Sequence, residues 1–123
     1  MAFIADTVFD NGLTTLDTNG TQIDITTSEI SVWASLAAAT LGNDTVNTGA
    51  PEAGTTDGRK VVVPAITAGS VTGDGTAAYW CLSNGSSTVY AAGPLTGGGQ
   101  AVTNGNTFTL DAIEITIRDA TAV

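Results

Sequence analysis

Histidine is absent from the chain, and with it the commonest general base, proton shuttle and metal ligand of enzymes. No Ser–His or Cys–His nucleophile pair can be assembled. Lysine is almost absent as well. Lys60 is the only one, it adjoins Arg59 at the start of an apolar run, and Arg118 is the only other cation. A Ser–Lys dyad would have to rest on that single lysine. Cations this few neither neutralise a phosphate footprint nor hold an anionic lipid surface, so direct nucleic-acid binding and membrane binding are not expected. The single cysteine, Cys81, rules out an intrachain disulfide framework. It lies in the apolar run Tyr79-Trp80-Cys81-Leu82, where a small buried hydrophobe is the expected role; a reactive thiol would want a neighbouring histidine or cation. No run reaches the ~18–20 apolar residues of a membrane span. The opening MAFIADTVFD lacks the basic and long apolar regions of a secretory leader, so synthesis in the cytoplasm is expected.

Charge of either sign is scarce. Charged residues make up 12% of the chain, against about 25% in ordinary globular domains, so the surface is polar through Thr, Ser, Asn and Gly. Twelve scattered acids set the net charge of −9, which favours solubility through self-repulsion over an acidic binding tail. With 123 residues, 42% of them hydrophobic, a single domain burying roughly two-thirds of its unfolded surface is expected. Gly97-Gly98-Gly99 lacks the pattern, the cation and the following helix of a phosphate loop. The stretch from Asn43-Asp44 to Asp57 is acidic without the D-x-[DN]-x-[DN]-G spacing of a calcium loop. Neither catalytic residues, nor a cofactor, nor a metal site is expected.

The patterning that is present reads mainly as strands. Ile4, Val8, Phe9, Leu13 and Leu16 recur along one helical face, predicting a helix over about 3–17 that stops at Thr18-Asn19-Gly20. Thr21 to Thr27 alternates, with Ile23 and Ile25 facing opposite to Gln22, Asp24 and Thr26, as in a half-buried strand. Ser28 to Leu41 favours a short second helix with Trp33, Leu36 and Ala37 inward. Residues 42–58 show no apolar period and read as a long exposed polar loop. From Arg59 onward strands follow one another. Val61-Val62-Val63 suits a pleated surface and Pro64 marks an edge or a strand end. Thr76 to Ser83 has two apolar faces and is expected to be central, and Asn84-Gly85 signals a hairpin that Ser86-Ser87 lengthens. Asn104-Gly105 marks another turn. Beyond it, Phe108, Leu110 and Ala112 hold one phase while Ile113, Ile115 and Ile117 hold the opposite one. That slip implies a β-bulge or a strand crossing between two sheets; the bulge is favoured, because a slip without one turns the three isoleucines outward.

The expected fold is therefore mainly β, a compact antiparallel β-sandwich or barrel-like domain over 1–123 with an N-terminal helix and a short second helix. Trp80, on a central strand, is expected in the core, and Trp33 is balanced between packing and contact. Trp33, Asn43, Asp44, Pro51, Asp57, Arg59 and Lys60 are the candidate protein-contact residues.

Taken in order, ADTVFDNGLTTLDTNGTQIDI, LGNDT, GAPEAGTTDGRKVVVPAITAGSVTGDGTAAYWCL and GQAVTNGNTFTLDAIEITI resemble a family of tailed-bacteriophage and prophage virion proteins. Its most distinctive pieces are DGRKV at 57–61, the GTAAYWCL strand and NGNTFTL at 104–110. The resemblance implies an accessory particle component of the capsid cement, or head decoration, type. The expected partners are the major capsid protein and further copies of the chain in a symmetric homo-oligomer; the expected location is the virion head surface. A neck, tail or fibre-base component is the nearest alternative. A host-surface or carbohydrate-binding module using Trp33 and residues 42–58 is the second.

Overall fold

The computed structural model describes residues 4–119. Helix α1 spans Asp6–Asn19; the start expected at residue 3 lies outside the described residues. Phe9 and Leu13 are buried and Leu16 packs on the main core. Ile4 and Val8, expected on the same face, instead point to solvent, because at 100° per residue Val8 falls one step off the Phe9–Leu13–Leu16 stripe. The helix ends where the Gly20 N–H donates to the Leu16 carbonyl. A side chain at Gly20 would collide with that carbonyl and with Leu82.

Among the described residues eleven strands follow in three antiparallel sheets. The largest runs β10 (Thr107–Leu110), β5 (Ile66–Val71), β2 (Thr40–Thr45), β1 (Gln22–Thr26), β7 (Tyr79–Ser83), β8 (Val89–Pro94). A second sheet orders β11 (Ile113–Ile117), β4 (Arg59–Val63) and β3 (Glu52–Ala53). The third is a ribbon of β6 (Gly75–Ala77) and β9 (Gln100–Val102). Ile23, Ile25, Val71, Leu82 and Phe108 of the large sheet meet Val63, Ile113 and Ile115 of the second sheet, with Ala77 and Val102 of the ribbon between. Each of the fully buried aliphatic side chains among these contributes about 1.5–3 kcal/mol. The result is a mainly antiparallel β-sandwich with an N-terminal helix, as the alternation of the sequence implies.

Cross-strand partners share a face, so the register defines both surfaces of the large sheet. Val71, Gly42, Ile25, Trp80 and Gly93 form one transverse row on the core side. Thr107, Ser70, Asn43, Asp24, Cys81 and Ala92 form the next row on the outer side. A second apolar cluster covers part of that outer side: Ile30, Leu36 and Ala39 close over Cys81, with Trp33 and Val89 at its margin. This cap corrects the reading of β1 as half-buried, since Asp24 and Thr26 on its polar face are as buried as Ile23 and Ile25. It also shortens the second helix to a 3-10 turn, Trp33–Ser35, and a single turn α2, Leu36–Ala39, with Ala37 exposed and Ala39 inward instead.

Three further expectations are corrected. The polar stretch 42–58 is not one exposed loop: its first residues complete β2 in the middle of the large sheet, Val46 and Thr48 are buried, and Glu52–Ala53 pairs with β4. Thr76 to Ser83 breaks at Ala78, leaving Ala77 to the ribbon and Tyr79–Ser83 between β1 and β8. The phase slip at Asp111-Ala112 is a crossing between sheets, β10 belonging to the large one and β11 to the small one, so the crossing and not the favoured bulge keeps Ile113 and Ile115 on the core, while Ile117 at the strand end is exposed.

Candidate functional site

Four of the candidate contact residues, Pro51, Asp57, Arg59 and Lys60, come together at the small sheet, and each is already engaged. Arg59 pairs through Nε with Asp10 of α1 at 2.8 Å and donates to the Pro51 carbonyl. Lys60 on the other face donates to Glu114 at 2.6 Å and to Thr55 at 2.8 Å. Asp57 accepts from Arg118, which follows β11. These pairs tie α1 to β4, β4 to β11, and the 54–58 turn to the end of β11. They consume all three cations of the chain. The hydrogen bonds from Lys60 and Thr55 hold the Glu114 carboxyl below its ordinary range, and that from Arg118 does the same for Asp57. The guanidinium ions of Arg59 and Arg118 are held above theirs by Asp10 and Asp57 respectively.

The remaining candidates lie apart. Asn43 is half-buried on the outer face of β2, between Asp24 and Ser70. Asp44, one residue on, points to the core side as the partner of Ile23 and accepts from the Thr45 N–H. Trp33 is half-buried at the margin of the Ile30–Leu36–Ala39–Cys81 cluster, so packing accounts for it.

Under that cap the Asp24 carboxylate is 1% exposed. It accepts from the Thr40 hydroxyl at 2.6 Å and from the Gln22 amide at 2.8 Å, bonds that compensate for burying a charge away from any cation. Its cross-strand partner is Cys81. Burial, and then the Asp24 charge, push the Cys81 thiol up to about 11, the reverse of what a nucleophilic cysteine requires.

A separate hollow lies elsewhere. Helix α1 lies at one end of the sandwich, with Gly20 against Leu82 and Leu16 packed on the core. At the other end Trp80, Leu95, Leu110 and Ile113 border an open cleft of about 420 Å³, within the ~300–1,000 Å³ of small-ligand sites. Pro94 of β8 and Leu110 of β10 line the same cleft although they come from opposite edges of the large sheet. Six strands laid flat would hold those edges about 24 Å apart at ~4.8 Å per strand, so the sheet curls around the core. Glycines stand where it bends. Gly93 lies under the Trp80 indole and Gly69 under the Phe108 ring, in each case as the cross-strand partner. The polar rim of the cleft is Thr96, Gln100, Thr109, Asp111 and Glu114, and no cation lines it.

Sequence reasoning placed Trp80 in the core and missed the cleft that it borders, because the lining is assembled from segments between Trp80 and Glu114 that are remote in sequence. The only signals available were the Asp111-Ala112 crossing and the glycines at 97–99. Among the described residues no group of three or more His, Cys, Asp or Glu is placed to hold a metal ion. Comparison with protein-family models, with curated proteins and with solved structures found no match.

Proposed function

We propose that the chain is a non-enzymatic structural protein of a phage particle that binds the outer surface of the capsid and stabilises or decorates the shell. One observation carries the structural half of this reading. The two side chains best suited to nucleophilic chemistry are both held inert, Lys60 in its pair with Glu114 and Cys81 as a buried thiol whose pKa is pushed up to about 11. The virion half rests on the resemblance of the ordered segments, from ADTVFDNGLTTLDTNG to NGNTFTLDAIEITI. The hydroxyl-rich surface of low charge suits repeated contacts on a symmetric shell.

The same reading includes a symmetric homo-oligomer. Val8 is 62% and Ile117 38% exposed, and β11, which carries Ile117, is an edge strand with one side unpaired among the described residues; such edges are natural pairing sites. Cryo-microscopy of particles made with and without the protein tests the proposal. Added density over the capsid lattice, at a copy number matching the shell symmetry, is the expected result. About a dozen copies or fewer at one vertex would move the protein to the neck or tail, and an unchanged particle would refute the virion role.

A further inference from the structure

We propose that the cleft between Trp80 and Asp111 receives an arginine side chain presented by a protein partner. The inference rests on the structural reading above and supplies the chemistry of the contact.

Three features of the cleft fit that side chain. Its floor is apolar, formed by Leu95, Leu110 and Ile113, which are half-buried and continuous with the core. An aliphatic stem can lie on such a floor while its charged head stays at the rim. Trp80 forms one wall, backed by Gly93: a Cβ built on that glycine would meet Cε2, Cζ2 and Nε1 of the indole at 3.1 Å. The ring is thus supported from behind by backbone and borders the cleft, and tryptophan is the strongest aromatic partner for a guanidinium. The rim supplies the counter-charge. Glu114 is occupied by Lys60 and Thr55, whereas Asp111 is exposed and takes part in none of the three ion pairs.

Charge complementarity selects the occupant. Asp111 is the one acid lining the cleft that is not committed to an ion pair, and no cation lines it; the chain as a whole carries −9, so an anionic ligand is repelled and a basic one is steered in. The chain has no uncommitted arginine or lysine of its own to insert, because all three cations are paired internally. The basic group therefore comes from a different protein. Paired tryptophan and arginine are also the residues that dominate protein interfaces.

The test is a nuclear magnetic resonance titration of the full chain with a blocked tripeptide carrying one central arginine. The two tryptophan indole N–H signals, Trp33 and Trp80, report separately. The expected result is a saturable shift of the Trp80 signal with Trp33 unmoved. Asp111→Asn weakens binding roughly fivefold, while Glu29→Gln, which removes an acid beside the smaller hollow near Val89 and Tyr90, leaves it unchanged. A tripeptide with citrulline in place of arginine does not bind. Equal weakening by Glu29→Gln and Asp111→Asn would mean diffuse attraction to an acidic protein and would overturn the site. So would equal binding of the citrulline peptide, or a Trp80 shift produced by a neutral oligosaccharide and not by the arginine peptide, which would make the cleft a glycan site. Particle occupancy separates the two readings: Asp111→Asn protein that decorates particles as fully as wild type sinks the cleft and leaves the shell role standing. Wild-type protein that binds the peptide at Trp80 but is missing from particles does the opposite.

Discussion

Phe108 on β10 lies directly across Gly69 on β5, its cross-strand partner, with three ring atoms inside the space a Cβ at that position would occupy. Trp80 covers Gly93 in the same way at the other side of the sheet, at a looser 3.1 Å. An aromatic ring over a strand glycine restores packing that the missing side chain leaves out, and lets the sheet bend there. The two contacts predict a ranking. Gly69→Ala forces Phe108 out of a fully packed core, an overpacking cost of about 1–3 kcal/mol, whereas Gly93→Ala asks only a few tenths of an ångström of Trp80. Urea unfolding should therefore place Gly69→Ala well below Gly93→Ala in stability, and Gly93→Ala should alter the tryptophan emission more than the unfolding midpoint. The reverse order would mean that the Trp80 contact, and not the Phe108 contact, sets the curl.

The buried Asp24 makes a second prediction. Thr40→Val preserves shape and removes the hydroxyl that donates to Asp24 at 2.6 Å. A buried carboxylate that loses one of its two side-chain donors costs about 1–3 kcal/mol. Asp24→Asn, which keeps an acceptor for the Thr40 hydroxyl, should cost less than Asp24→Ala. Chemical denaturation of the three variants checks the order; an unchanged midpoint for Thr40→Val would show that the bond contributes nothing net.

Cys81 should be silent to thiol reagents while the protein is folded. With its pKa pushed up to about 11 and its side chain buried, the thiolate population at pH 8 is negligible and access is closed. Labelling by a disulfide reagent is expected only in step with unfolding, so its rate at increasing urea should trace the global transition. Rapid labelling in native buffer would place Cys81 outside the core.

The Lys60–Glu114 pair has a pH signature. The folded-state pKa of Glu114 is depressed below its ordinary 4.5, first by Lys60 and then by Thr55. The stabilisation is thus fully present above pH 4.5 and is lost as pH falls through the depressed folded value. The difference in urea midpoint between wild type and Glu114→Gln should be greatest near neutrality and shrink as the pH drops below 4.5. A difference that holds constant into strong acid would mean that the pair is not formed in solution. High salt should shrink the same difference at neutral pH, because the Glu114 side of the pair is open to solvent.

Self-association through the α1–β11 face has a direct check as well. Val8→Glu adds a charge where 62% of the side chain meets solvent, so it leaves folding intact and should convert an oligomer to monomer in light scattering. Unaltered mass would remove that face from the interface.

Local pattern alone carried much of this structure. The helix at the start, the alternation of Ile23 and Ile25, the valines of β4, the turn at Asn84-Gly85 and the return strand after it were legible because their signals are periodic or lie between near neighbours. At Asn84 the side-chain oxygen accepts from the backbone N–H groups of Ser86, Ser87 and Thr88, which is the lengthened turn that the two serines imply. The scarcity of cations and the lack of histidine were equally plain. What required the tertiary structure was every feature that joins distant segments. Gly42-Asn43-Asp44 has no apolar period, yet lies mid-sheet because β1 and β5 flank it. Asp24 reads as solvent-facing, yet it is buried beside its strand partner Cys81, over which Ile30, Leu36 and Ala39 pack. Whether Asp111-Ala112 was a bulge or a crossing depended on which strands β10 and β11 found as partners. The cleft is decided at the same level: Trp80 becomes a wall only when the curled sheet brings β8 and β10 together, and pairing between remote strands is a matter of topology that no local window contains.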